Sequence, residues 1–234
     1  MKKVLHTSDS RGHSVHRWLD SHHTFSFADY YDPGRIHFGA LRVLNDDRVA
    51  PGEGFQTHPH KNMEIVSIPL KGYLTHGDSR QNSRTISVGD IQVMSAGTGI
   101  YHSEMNGSPT EPVEFLQIWI LPKEHNTPPR YQDFDVRPLM KKNELALIIS
   151  PDGSTPAALL QDAWFSLGEV EAGQKIEYEL HRPGTGVYIF IIEGEVRVDD
   201  VTLGRRDGVG ISETKSVLLE TTKDSKILLI EVPV

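Results

Sequence analysis

The stretch Gly52-Glu-Gly-Phe-Gln-Thr-His58-Pro-His60-Lys-Asn-Met-Glu64-Ile-Val-Ser-Ile-Pro-Leu-Lys-Gly72 sets how the rest of the chain is read. Its glycines and prolines leave pieces too short for a helix, and the apolar run Met63 to Leu70 has the length of a buried strand. His58 and His60 stand at i and i+2. In a strand, alternate residues point to the same face, so both imidazoles are presented to one side. His102-Ser103-Glu104 repeats the spacing with an imidazole and a carboxylate. If the two strands line one barrel, three imidazoles and a carboxylate converge as a metal site.

Working outward, short apolar and β-branched runs recur along the chain: Phe38 to Leu44, Ile91 to Met94, Phe115 to Leu121, Leu145 to Ile149, Trp164 to Val170, Val187 to Ile192, Val217 to Leu219 and Ile227 to Val232. With 20 Gly and 14 Pro spread between them, they read as an all-β sandwich or barrel. Only Ser14 to Leu19 and Thr155 to Gln161 suggest single helical turns. The Pro-rich stretch from Leu121 to Asp135 is the natural linker. On either side of it the same elements appear in the same order. Ala50-Pro-Gly52, Gly72, Asp90 and Phe115 to Pro122 are answered by Glu171-Ala-Gly173, Gly194, Asp207 and Ile227 to Pro233, which favours a duplicated barrel over one large sandwich. The expected domains are 1–122 with the metal site, a linker at 123–135, and 136–234 without metal ligands.

Composition narrows the function. The 234 residues carry 24 Lys+Arg against 32 Asp+Glu, a net charge of -8, which argues against nucleic-acid binding. With no Cys there are no thiolate nucleophiles, iron-sulfur clusters or zinc ribbons, so a metal must be held by nitrogen and oxygen. The longest apolar run, Val187 to Ile192, is far short of the ~20 residues a membrane helix needs. Lys2 and Lys3 are followed by too little apolar sequence for a secretory signal, so no membrane partner and a cytoplasmic location are expected.

Eleven of the twelve His lie before residue 126, leaving only His181 in the second half. Aligning Gly194 with Gly72, and Asp207 with Asp90, puts Leu180, Arg182, Leu219 and Thr221 where His58, His60, His102 and Glu104 stand. None of the four can replace those ligands. His22, His23 and the aromatics Phe25, Phe27, Tyr30 and Tyr31 read as packing for an N-terminal arm, and His76 as a turn residue after Gly72, with a place inside the barrel as its second reading. Gly97-Thr-Gly99 completes no nucleotide loop. Glu64 shares the apparent strand parity of His58 and His60, so the residues alone leave open whether Glu64 or Glu104 is the carboxylate ligand.

The glycine context of the histidines resembles the two cupin motifs, with Gly72 one residue late after Glu64, Ser95 where Pro is usual, and His102 two residues late after Gly97. These departures, with His58-Pro-His-Lys-Asn-Met-Glu64, Ser95-Ala-Gly-Thr-Gly-Ile-Tyr-His-Ser-Glu104 and the N-terminal stretches Arg11-Gly-His, Trp18 to Pro33 and Leu41 to Asp47, resemble the pirin branch of the cupins. The likeness is dense over about 11 to 122 and architectural beyond. It implies a bicupin fold, two jelly-roll barrels in tandem, with one divalent metal, usually Fe(II), held by His58, His60, His102 and Glu104. Mn, Ni, Cu or Zn also suit these ligands by type. It puts Glu104 ahead of Glu64, which becomes a group orienting a ligand imidazole.

Several bacterial members of the family cleave quercetin with O2, so a flavonol substrate is expected, with Glu104 either accepting the hydroxyl proton or tuning the metal. Other members are redox-sensitive iron-binding regulators that dock a partner protein, which is the alternative reading. A cupin isomerase or sugar-binding module is a third.

Overall fold

Val187 to Ile192 is apolar throughout because both its faces are buried. Val187, Ile189 and Ile191 point into one apolar cluster, while Tyr188, Phe190 and Ile192 point into another. Strand Ser225–Pro233 divides in the same way, with Ile227 and Leu229 on one side and Leu228, Ile230 and Val232 on the other. This two-sided burial sets the architecture of the computed structural model, which covers residues 1–234. It is built from antiparallel strands with two short 3-10 turns, and no helix is long and apolar enough to cross a membrane.

The first half pairs a seven-stranded sheet with a four-stranded one, and the second half pairs a six-stranded sheet with a four-stranded one. Each pair forms a barrel, so the tandem all-β bicupin expectation holds. The two large sheets lie back to back. Leu41, Val66, Ile68, Leu116 and Ile118 from the first meet Phe165, Leu167, Phe190, Leu228 and Ile230 from the second in a cluster of 26 buried residues. Burying side chains of this size stabilises by about 1.5–3 kcal/mol each, so this shared layer is the main adhesive between the halves.

The interiors differ. The second barrel is filled by a cluster of 14 buried residues, among them Val196, Val198, Val209, Ile211, Val217 and Leu219. In the first barrel the apolar packing splits into a cluster of 5 around Leu74 and Phe115 and a cluster of 4 around Ile65 and Met94. The space between them is lined with polar side chains.

The domain boundaries need two corrections. Strand Lys2–His6 pairs with Gly208–Ser212, so the chain starts in the second barrel rather than the first. Within the expected linker, Arg130–Asp135 is the edge strand of the seven-stranded sheet, pairing with Asp90–Ser95. The Pro-rich signal stops at Pro129, and an edge strand with one exposed face has too weak an alternation to stand out beside it. The two expected helical turns are also absent. His16 to Leu19 forms the bend between strands Gly12–Val15 and Leu19–His23, and Thr155 to Gln161 is irregular.

Candidate metal centre

Strand Gly54–His60 lies at the edge of the four-stranded sheet beside Ile100–Asn106. The edge position explains Pro59, which has no N–H to give to a ladder. His102 sits directly opposite His58 in register, and His60 lies two residues along on the same face. The ligating atoms of His58, His60 and His102 fall within 4.8 Å of one another. Ring centroids are 4.5 to 4.9 Å apart.

The tautomers follow from the outer contacts. His58 Nδ1 lies 2.7 Å from the carbonyl oxygen of Gln56, so this nitrogen carries the proton and Nε2 keeps its lone pair. His102 Nδ1 lies 3.5 Å from Nδ1 of His76, whose Nε2 is 3.0 Å from Asp78 Oδ2. For Asp78, hydrogen bonds from His76, Asn82 and Arg80 outweigh burial and hold the carboxyl below its ordinary range. Asp78 therefore accepts from His76, which accepts from His102, and His102 Nε2 is left as a lone pair. That atom is buried without a hydrogen-bond partner. Burial, with the neighbouring imidazoles second, lowers His60 to about 4 and His102 to about 2. Both of these rings therefore stay neutral, as ligands must. Three imidazole nitrogens around one point, one of them an orphaned buried atom, fit a divalent transition-metal ion.

Glu104 lines the same cavity as His58 and His60 but lies outside the 4.8 Å group. A register shift falls between it and His102, and its carboxylate is held by Ser67 at 2.8 Å and by Gln117. Burial, opposed by these hydrogen bonds, raises it to about 7.

Glu64 is elsewhere. Its oxygens accept from the backbone N–H groups of Leu160 and Gln161, both at 3.0 Å, and from Ser95 Oγ at 2.9 Å. No imidazole is among its partners. The positive φ of Asn62, 51°, turns the chain between the two strands, so the parity of His58 and His60 does not carry through to Glu64. Glu64 instead shares the outward face of its strand with Val66 and Ile68, toward the second half.

His76 is likewise not a turn residue. It is fully buried on strand Tyr73–Asp78, opposite Glu104, and stacks on Tyr131. The alternation of Leu74, His76 and Asp78 against Tyr73, Thr75 and Gly77 was the available signal.

The family model for Pirin matches residues 4–120, and that for the quercetinase C-terminal cupin domain matches 147–232. This chain belongs to the pirin family. Among pirin relatives it is 40% identical over 234 residues to the quercetin 2,3-dioxygenase of Escherichia coli, covering 98% of both chains. It is 39% identical over 226 residues to a putative quercetin 2,3-dioxygenase of Pseudomonas aeruginosa, covering 96% of this chain and 97% of that one. The structure of a bacterial pirin from Escherichia coli in complex with nickel(II) superposes with a TM-score of 0.93 at 38% identity, over 99% of each chain.

The second pirin barrel is arranged differently at the matching positions. Leu180 and Leu219 belong to its apolar packing, Arg182 pairs with Asp162, and Thr221 Oγ1 donates to the carbonyl of Glu171. His181 stacks on Trp164 and bonds to Glu231 at 2.8 Å, with Tyr178 on the same carboxylate.

Proposed function

We propose that this pirin is a metal-dependent dioxygenase that cleaves flavonols such as quercetin with O2. The observation carrying the proposal is the convergence of His58, His60 and His102 on one point, beside a cavity of about 240 Å³ that His58, His60 and Glu104 line. A cavity this size is somewhat below the usual small-molecule range of about 300–1,000 Å³ and suits a compact planar ligand rather than a peptide. The relatives named quercetin 2,3-dioxygenase, aligned over nearly the whole chain, support the substrate class.

The three histidines would hold the ion, with Glu104 reaching it as fourth ligand. Iron(II) is the first expectation for this donor set. When bound, the ion supplies positive charge that lowers the pKa of a hydroxyl placed beside it. His76 and Asp78 keep the lone pair of His102 on Nε2. Glu104, on the cavity lining beside the three histidines, offers a carboxylate oxygen that can accept the flavonol 3-hydroxyl proton. Phe27 and Trp119, edge to face at 5.3 Å, and Phe55 line the cavity with apolar surface that excludes water and faces the flat rings. In the overall reaction both O2 atoms enter the depside product and the carbon that bore the 3-hydroxyl leaves as carbon monoxide.

The test is loss of flavonol absorbance with quercetin, in air and under anaerobic conditions, using protein loaded in turn with iron, nickel, copper and manganese. O2-dependent loss is expected. His60→Ala should abolish it with loss of metal, whereas Glu104→Gln should keep part of the metal and slow turnover by about 10²- to 10⁴-fold. Leu180→Ala and Arg182→Ala should leave metal content intact. Quercetin untouched by all four forms would overturn the proposal in favour of a non-enzymatic, metal-binding regulator that docks a partner protein.

A further inference from the structure

The wall facing the histidine triad carries buried polar groups that neither hold the ion nor act on the 3-hydroxyl. Ser21 and His23 on strand Leu19–His23 are paired in register with Asp47 and Asn45 on strand Leu41–Val49. All four line the cavity, and all are at most 3% exposed. Buried polar atoms in a barrel interior are rarely left without hydrogen-bond partners.

Ser21 donates its one hydroxyl proton to Asp47 Oδ1 and so accepts, at 2.8 Å, from Nε2–H of His23. The neutral His23 ring then carries its lone pair on Nδ1, and burial, with His22 and His13 second, keeps that ring neutral by lowering it to about 4. His23 Nδ1 is buried without a partner, and so is Asn45 Oδ1 on the residue directly opposite. Both atoms are acceptors. Two unpaired acceptors side by side on one wall of a small cavity call for a ligand that brings hydrogen-bond donors.

We propose that His23 and Asn45 form a second recognition pole, which binds the phenolic hydroxyls on the ring of a flavonol remote from its chelating hydroxyl and carbonyl. The proposal rests on the flavonol reading of the metal pole. Sheet topology supplies the geometry. The metal pole stands on the four-stranded sheet and the acceptor pole on the facing seven-stranded sheet, with Phe27 and Trp119 between them on the cavity lining. A planar molecule with polar groups at both ends spans the two. Asp47 and Ser21 act through His23 as positioning residues, since their hydrogen bonds decide which ring nitrogen is the acceptor.

The experiment compares two flavonols that share the 3-hydroxyl and carbonyl but differ in the remote ring: quercetin, with two hydroxyls there, and galangin, with none. Binding to the metal-loaded protein is followed anaerobically by quenching of tryptophan fluorescence, so that no turnover is needed. Quercetin should bind about tenfold more tightly or better, since each net hydrogen bond of about 0.5–1.5 kcal/mol is worth roughly 2- to 10-fold. His23→Phe should remove this preference, raising Kd for quercetin and leaving Kd for galangin unchanged at wild-type metal content. His23→Gln, which restores an acceptor, should recover part of it. Equal affinity of the unmodified protein for the two flavonols would overturn the second pole and leave the metal-pole reading standing. Binding of neither would overturn both. The comparison in the unmodified protein decides the matter even where a variant fails to fold.

Discussion

His102 is held so that only one ring nitrogen is free to ligate, and that constraint runs through His76 to Asp78. Replacing His76 by Phe keeps the bulk against Tyr131 but removes the acceptor, so His102 can turn or change tautomer. Removing such a partner of a ligand imidazole typically costs 10- to 100-fold in metal affinity. A chelator-competition titration of His76→Phe should show a loss of that order, and unchanged affinity would refute the relay. The interior also sets a pH dependence for the metal-free protein. His60, His23 and His6 are lowered to about 4 and His102 to about 2, mainly by burial. The unfolded chain protonates these groups first, so their contribution is whole above 6.5 and is lost as pH falls below it. Glu104 and Asp47, raised to about 7 by burial, run the other way, being stabilising at low pH and losing that contribution as pH rises through 7. Four imidazoles against two carboxyls give a stability that climbs from pH 4.5 to 6.5. Urea denaturation of the chelated protein across this range checks it, and a falling curve would reverse the assignment.

At the scale of strands, parity is a reliable guide within one element and fails across a turn. His58, His60 and His102 were legible as a converging set because each pair lies inside a single strand and the two strands are neighbours. Glu64 was not, because the left-handed Asn62 interrupts the count and sends its side chain to the opposite sheet face. His23, Asn45 and Asp47 also obey a simple alternation, but the aromatic neighbours of His23 suggested packing, and Asn45 and Asp47 stood only within a stretch that carried the family likeness. Phe25 does pack, against His6 and Tyr188, whereas His23 faces the cavity. The true role of Glu64 is to bind the irregular segment before Trp164, through Leu160 and Gln161. Glu64→Gln should therefore leave metal content at the wild-type level while lowering stability by about 1–3 kcal/mol, since a buried charge-assisted pair becomes a poorer one. Metal analysis beside a denaturation curve separates the outcomes, and loss of metal at full stability would return Glu64 to the metal site.

Across the whole molecule, the two barrels are joined by more than apolar area. Asp46 of the first barrel binds Arg206 of the second at 2.9 Å and Arg11 at 3.3 Å, with both arginine side chains at most 5% exposed. Removing the shared carboxylate leaves buried Arg11 without an ion pair and buried Arg206 with only the more distant Glu193, at 3.8 Å. Asp46→Ala should cost about 3–5 kcal/mol, readable as a lowered denaturation midpoint, and a change under 1 kcal/mol would show that the charges are already solvated. The tandem-barrel plan was visible in the order of the glycine turns and apolar runs. The crossing of chain segments between barrels was not, because the pairing of Lys2–His6 with Gly208–Ser212 joins residues some 200 positions apart and leaves no local trace. That pairing also bears on how the protein is made. At roughly 5–20 residues per second, a ribosome takes on the order of 10–40 s to pass from Lys2–His6 to Gly208–Ser212. Throughout that interval strand Lys2–His6 waits with its backbone unpaired, so a segment synthesised well ahead of its partner is among the last to find its place.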